Sequence, residues 1–408
     1  MYGGYPIYLG GLAWFCAWSV IAGFSQNELM LDFCRALQGL GPAAFLPSGV
    51  MLMGSIYRPG PRKNLVFSLY GGAAPLGFFA GVFFAGLTGE YLTFRWYFWI
   101  GAILILSTLL AAIWAVPNDK EARGAMGIKM DWMGSFLIVT GLVLVVFAVT
   151  DSSHAPQGWK TPYVYVTLII GSFLLFAAVY VEGWVATAPL LPPDLFKVPY
   201  LKPLILALFL SYGVLGVFVL YGTLYMADIM GGTPLQLVAW FTPMCIGGCV
   251  IAITGGYVLH LLSGTMLMIV SGLGWILASL LFALAPTGAN YWAWIFPAMI
   301  GATIGIDITW NVANVFITTS LVQSQQGLAG ALINSLVYLG IAFVLSFADV
   351  TQTQTAHLGL KRSYQSVFWY QFAVQAIALA IMLLFVRIHK AESDLTADEK
   401  LERDKENA

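Results

Sequence analysis

Residues 31–49 read LDFCRALQGLGPAAFLPSG, and long apolar runs lie on both sides of them. Asp32 and Arg35 are charged and Gln38 is polar, while almost every neighbour is apolar or small. An ionisable group at the centre of a membrane-spanning helix costs about 2.5–3.5 kcal/mol on insertion scales, so such groups face a cavity or a partner. Asp32 and Arg35 are three residues apart, which places them on one helical face where they can pair. Gln38 extends that face by a turn. Arginine stays protonated, so Arg35 cannot itself cycle a proton. It can hold a nearby carboxylate charged, or release it when a helix moves. The plainer alternatives are a structural ion pair and an interfacial arginine near the helix start.

The surroundings of this stretch decide the fold class. The chain has 408 residues, 60% of them hydrophobic and 9% charged, where a soluble domain is about 25% charged. A span takes about 20 apolar residues. Twelve stretches qualify, at about 4–24, 29–56, 65–87, 95–116, 132–150, 163–187, 203–226, 234–258, 264–286, 290–319, 327–349 and 366–387. Runs of this length do not alternate as barrel strands do, and backbone groups in lipid must bond within their own segment, so helices are predicted. The expected fold is an all-α polytopic membrane protein whose principal partner is the lipid bilayer. A net charge of −1 leaves no electrostatic footprint for nucleic acid.

Loop charge predicts orientation. Arg58, Arg62, Lys63, Lys120, Arg123, Lys129, Lys197, Lys202, Arg387 and Lys390 fall on one side, and Arg95, Lys160, Lys361 and Arg362 on the other. The richer side is expected to be cytoplasmic, with both termini on it. The acidic tail ESDLTADEKLERDKENA, residues 391–408 in the main, reads as disordered. Met1 is not followed by a charged segment and cleavage site, so no removable signal peptide is expected. Cys16, Cys34, Cys245 and Cys249 all lie in apolar stretches and read as packed small residues. The four histidines have no ligand spacing, and neither a metal nor a cofactor is expected. No HExxH, paired catalytic aspartates or serine nucleophile motif points to an enzyme.

Asp307 is the sharpest single residue, well inside the tenth span. Asn311 and Asn314 follow at helical spacing, with Trp310 beside them, so three polar groups share a stripe. A carboxyl in apolar surroundings resists being charged and can take up a proton, which makes Asp307 a candidate proton or substrate site. The alternative is a carboxylate satisfied by the two asparagine side chains. Asn334 in the eleventh span either faces the same cavity or bonds a neighbouring helix. Glu182 and Asp228 read as interfacial groups. The third span holds Gly72, Pro75, Gly77 and Gly81. Gly77 and Gly81 form a G-x-x-x-G pair suited to close helix approach, and Pro75 permits a bend, so this helix is a candidate gate. GATIG at 301–305 repeats the small-residue pattern near Asp307.

The second span, its loop and the third span have a faint counterpart in the tenth, its loop and the eleventh, and parallel halves are a transporter architecture. RALQGLGPAAFLPSG resembles the Arg-x-x-Gln-Gly motif of the fourth helix of drug:proton antiporters of the major facilitator superfamily. GGAAPLGFFAG resembles the antiporter motif of their fifth helix, with Ala74-Pro75 where that family usually has Gly-Pro. FRWYFWIGAI is similar to the start of their sixth helix. IDITWNVANVFITTSLVQSQQGLAGALINSLVYLG resembles the late helices of the fungal fourteen-span, aminotriazole-resistance-like group.

This resemblance covers nearly the whole chain. It implies a major facilitator fold in which the first two helices and their loop motif are missing before MYGGYPIYLGG. The twelve spans then divide as an incomplete N-terminal half at 1–116, two linker helices at 117–201, a C-terminal half at 202–390 and the tail at 391–408. It further implies a monomeric transporter, in the plasma membrane rather than the vacuole, that exports small amphipathic molecules in exchange for protons. Arg35, Asp32, Gln38, Asp307, Asn311, Asn314 and Asn334 would serve coupling or substrate, and the helix with Gly72, Pro75, Gly77 and Gly81 the gate. Two other readings remain open: a facilitator of a small polar solute such as ammonium or borate, and a truncated relative that transports nothing.

Overall fold

The computed structural model describes residues 3–56, 61–118, 131–186, 189–190, 193–258, 262–321 and 326–388. Arg58, Lys120, Arg123, Lys129, Lys390 and the acidic tail lie outside the described residues. Helices α1 (Gly4–Gly23), α2 (Glu28–Ile56), α3 (Pro61–Tyr91) and α4 (Phe94–Ala115) come first. A hairpin of α5 (Trp132–Asp151) and α6 (Pro162–Tyr180) follows. Then come α7 (Leu201–Leu224), α8 (Pro234–Val258), α9 (Gly264–Leu284), α10 (Phe296–Ser320), α11 (Gln326–Thr355) and α12 (Leu360–Phe385). Among the described residues twelve helices are long and apolar enough to cross a membrane, as expected from the sequence. π-helical turns extend α6 through Val181–Val185 and α7 through Tyr225–Ile229, and another at Tyr291–Ile295 leads into α10.

Local chemistry sets several helix starts. Asp131 accepts from Gly134 N at 2.8 Å, Asn290 from Trp292 N at 2.9 Å, and Ser263 from Met266 N at 3.3 Å. These contacts satisfy first-turn amides that have no partner within the helix. Pro162 opens α6, where its missing N–H is harmless. The helices α11 and α12 outrun their apolar patterns, which end at 349 and begin at 366. The added turns carry Gln352, Thr355 and Lys361, and Ser363 Oγ donates to Gln352 O at 2.8 Å across the junction.

The packing repeats itself. In the first four helices α1 lies between α2 and α4, and in the last four α9 lies between α10 and α12. The helix α7 packs on α11 and α12, and α5 lies along α11. The dense core belongs to α7–α12: Phe282 stacks on Phe368 at 4.7 Å between ring centroids, and Phe218 meets Trp275 at 5.7 Å. In the first four helices the described core is a small group around Ala22, Cys34 and Phe98.

The helix α3 leaves its own block and runs antiparallel along α8. Gly89 and Gly86 meet Pro234, Gly86 also meets Val238, Pro75 meets Gly248, and Gly72 faces Ala252. Close approach along this seam therefore uses Gly86. A Cβ there would overlap the Val238 side chain and stand 3.0 Å from Pro234 O. The expected G-x-x-x-G contact is not made among the described residues, none of which comes within 4 Å of a Cβ on Gly77 or Gly81. The GATIG pair does pack, since a Cβ on Gly301 would stand 2.7 Å from Gly274 O of α9.

Overpacking a tight contact costs about 1–3 kcal/mol. Gly86→Val is therefore expected to lower the melting temperature of the detergent-purified protein clearly, and Gly77→Ala to leave it unchanged. Equal effects at both positions would contradict this register.

Candidate functional site

Three helices meet at Asp307. A Cβ built on Gly248 of α8 would stand 2.8 Å from Pro75 Cβ of α3 and 3.1 Å from Asp307 Oδ2 of α10. The carboxylate thus borders the glycine surface of α8 and the proline of α3. The neighbouring Gly247 lets α8 nest on α10, its missing Cβ falling 2.9 Å from Thr303 Cγ2. Pro75 and Pro243 both lie inside their helices, so each removes a backbone bond close to this crossing.

The polar stripe beside Asp307 does not neutralise it. Asn311 Nδ2 donates to the backbone oxygen of Asp307 at 2.8 Å, not to its carboxylate. Asn314 Nδ2 donates to Trp310 O at 2.8 Å, and on α11 Asn334 Nδ2 donates to Gly330 O at 2.8 Å. Each amide thereby binds the preceding turn of its own helix and keeps its carbonyl oxygen for another donor. Among the described residues no hydrogen-bond donor reaches the Asp307 carboxylate. All four side chains are half-buried.

The quoted stretch builds something else. Arg35 Nη1 donates to Gln38 Oε1 at 2.8 Å, Gln38 Nε2 donates to Ser19 Oγ of α1 at 2.5 Å, and Ser19 Oγ donates to Phe15 O at 2.7 Å. The guanidinium lies 5.7 Å from the ring centroid of Phe98 on α4, within cation–π range. This chain ties α1, α2 and α4 together. The expected Asp32–Arg35 ion pair is absent among the described residues. Asp32 is exposed, while Gln38 is buried against Ser19 and offers a fixed acceptor. The contacts of Arg35 thus lie in the first block and those of Asp307 on α3 and α8, so the two candidate centres are separate.

Sequence reasoning missed three tyrosines. Tyr70 of α3 lies within electrostatic reach of Tyr338 of α11 and Tyr8 of α1. Tyr338 is 57% exposed, one turn beyond Asn334. That spacing was legible on α11, whereas Tyr8 and Tyr70 come from helices whose juxtaposition no spacing reveals. Glu182 and Asp228 sit at helix ends, as expected, and Tyr364 donates to Asp228 Oδ2 at 2.7 Å.

A bundle of twelve spanning helices, with an intramembrane carboxylate where three of them cross beside helix-breaking prolines, is the build of a secondary transporter. The Major Facilitator Superfamily model matches residues 2–345, and the chain belongs to that superfamily. It is 32% identical over 370 residues to the low affinity ammonium transporter of Saccharomyces cerevisiae, covering 88% of this chain and 71% of that one. It is 29% identical over 399 residues to an efflux pump of Aspergillus terreus, covering 96% and 76%. To the aminotriazole resistance protein of Saccharomyces cerevisiae it is 28% identical over 395 residues, covering 95% and 72%. The crystal structure of an auto inhibited POT family peptide transporter superposes with a TM-score of 0.63 at 14% identity, covering 96% and 85%, a likeness of fold alone.

Gln38 and Ser19 are buried, and replacing Gln38 by an apolar residue removes the donor to Ser19 Oγ together with the bond from Arg35, a loss of about 1–3 kcal/mol. Gln38→Leu is therefore expected to lower the melting temperature, and Asp32→Asn to leave it unchanged. A larger loss from Asp32→Asn would restore the ion pair.

Proposed function

We propose that this chain is a secondary active transporter that moves small amphipathic molecules out across the membrane against an inward flow of protons. The observation that carries the reading is the Asp307 carboxylate, which lacks a protein donor among the described residues where α3, α8 and α10 meet at Pro75 and Gly248. A carboxyl so placed is relieved by a proton or by a cationic group, and the two relieve it in exchange for one another. Asn311 and Asn314 offer carbonyl oxygens on the helix that carries Asp307, and Asn334 offers one on α11. The helix α3 bends at Pro75 as the gate, with the seam along Gly72 and Gly86 as its bearing. Arg35 and Gln38 hold α1, α2 and α4 together as a body that moves as one.

The division into four, two and six helices belongs to this reading. Its support is the repeated packing of α1 with α2 and α4, and of α9 with α10 and α12. The basic loops favour a cytoplasmic position for both ends of the chain. The plasma membrane and a monomeric state complete the reading.

A second reading, facilitated movement of ammonium or another small polar solute, is favoured by the ammonium transporter among the relatives. The two differ in proton exchange. With the protein in vesicles and aminotriazole as the probe, chosen because one relative is an aminotriazole resistance protein, a proton gradient is expected to accelerate flux of the probe, a protonophore to remove that acceleration, and Asp307→Asn to abolish it while leaving exchange of the probe. Flux indifferent to both protonophore and substitution would exclude the antiport reading, and methylammonium uptake without proton movement would establish the second.

A further inference from the structure

A second group of ionisable side chains lies away from Asp307, at the membrane face opposite the end of α12. There α5, α7, α11 and α12 come together. Ser153 Oγ donates to Asp349 Oδ2 of α11 at 2.7 Å and lies 2.9 Å from His154 Nδ1. The direct distance from His154 Nδ1 to Asp349 Oδ2 is 3.6 Å, so the serine hydroxyl bridges the two. Ser153 has one hydroxyl proton, and its other possible acceptor is Thr150 O at 2.9 Å. With that proton directed at Asp349 Oδ2, the contact with His154 is Nδ1–H donating to Oγ.

The neighbours of this bridge are also titratable or polar. Thr150 Oγ1 and Ser346 Oγ stand 2.6 Å apart and fasten α5 to α11 one turn below. Tyr221 of α7 faces the Asp349 carboxylate from the other side. Its ring meets that of Tyr364 on α12 at 5.9 Å, and Tyr364 in turn donates to Asp228. On the hairpin, Tyr163 holds Asp151 in a separate pair. Exposure falls from the His154 side chain, 65% exposed, to that of Asp349, 29% exposed, and to Tyr221, 3% exposed, whereas Asp228 beyond Tyr364 is exposed again at the end of α7.

We propose that His154, Ser153 and Asp349 form a proton-collecting relay, with Tyr221 behind Asp349 on its inner side. The proposal rests on the proton exchange advanced above and on this face being the outer one. The exposed imidazole is open to water and buffer, from which it takes the proton that it passes on. The imidazolium then gives its Nδ1 proton to Ser153 Oγ as the hydroxyl proton passes to Asp349 Oδ2. This leaves a neutral imidazole, an intact serine and a protonated Asp349. Each transfer runs over a hydrogen-bond distance, which proton movement requires. A purely structural clasp between the hairpin and α11 would need the same contacts but no exchangeable proton, and that difference makes the proposal testable.

The test uses the full chain in vesicles loaded with a pH-reporting dye. Proton entry is followed with aminotriazole as the exchanged molecule, in weak buffer and again with added imidazole. His154→Ala is expected to slow proton entry several-fold in weak buffer, and imidazole to restore it. Asp349→Asn keeps an acceptor for Ser153 but cannot take the proton, so it is expected to slow entry without rescue. Ser153→Ala should resemble His154→Ala. Melting temperatures within the scatter of the parent show that each variant is folded. Proton entry unchanged in His154→Ala and Asp349→Asn, with gradient-driven flux in the parent, would overturn the relay and leave the antiport reading standing. A loss in His154→Ala that imidazole does not restore would also overturn it and leave a structural clasp. Parent flux indifferent to the gradient would overturn both.

Discussion

A carboxylate in an apolar bilayer has to be compensated, and at Asp307 no donor among the described residues supplies the compensation. The asparagines that share its helical face turn their amides to main-chain oxygens one turn back. The carboxylate is left at a crossing of three helices, and the shape of that crossing sets what surrounds it. The helix α8 has to be narrow there, so Gly247 admits Thr303 of α10 and Gly248 admits Pro75 of α3. The helix α10 has to lie close to α9, which Gly301 and Gly274 allow. The helix α3 has to leave α2 and cross to α8, and this is the path it takes.

Around this crossing the helices differ in how densely they pack. The helices α7–α12 share aromatic contacts that rigid packing favours, with Phe218, Trp275, Phe282 and Phe368 at their centre. The helices α1, α2 and α4 have little buried hydrophobic area of their own and are tied through Arg35, Gln38 and Ser19. Between the two bodies run the α3–α8 seam and a lighter contact of α2 with α11, where a Cβ on Gly330 would stand 3.3 Å from Val50.

Much of this was legible in the sequence, for particular reasons. Twelve spans could be read because apolar length is a strong signal and lipid leaves the backbone few choices. Asp307 could be read because a lone acid in WAWIFPAMIGATIGIDITWNVANVFITT stands out against its neighbours. Side-chain partners were harder. Asp32 and Arg35 share a face by spacing, yet Arg35 turns to Gln38, whose fixed position depends on Ser19 in another helix. Gly77 and Gly81 have the spacing of a contact pair, but spacing does not say which face of α3 meets α8, and the contact passes through Gly86. The convergence of Tyr8, Tyr70 and Tyr338 and the bridge from Ser153 to Asp349 join residues far apart in the chain, and no local pattern carries them.

The central claim is that Asp307 exchanges a proton for substrate. The most direct measurement is an infrared difference spectrum of the purified protein, recorded as aminotriazole is added, for the parent and for Asp307→Asn. The account predicts a carboxylic-acid band that is lost on aminotriazole binding in the parent and is missing from the variant throughout. A spectrum in which the parent shows no such change, or in which the variant shows the same change, would contradict it.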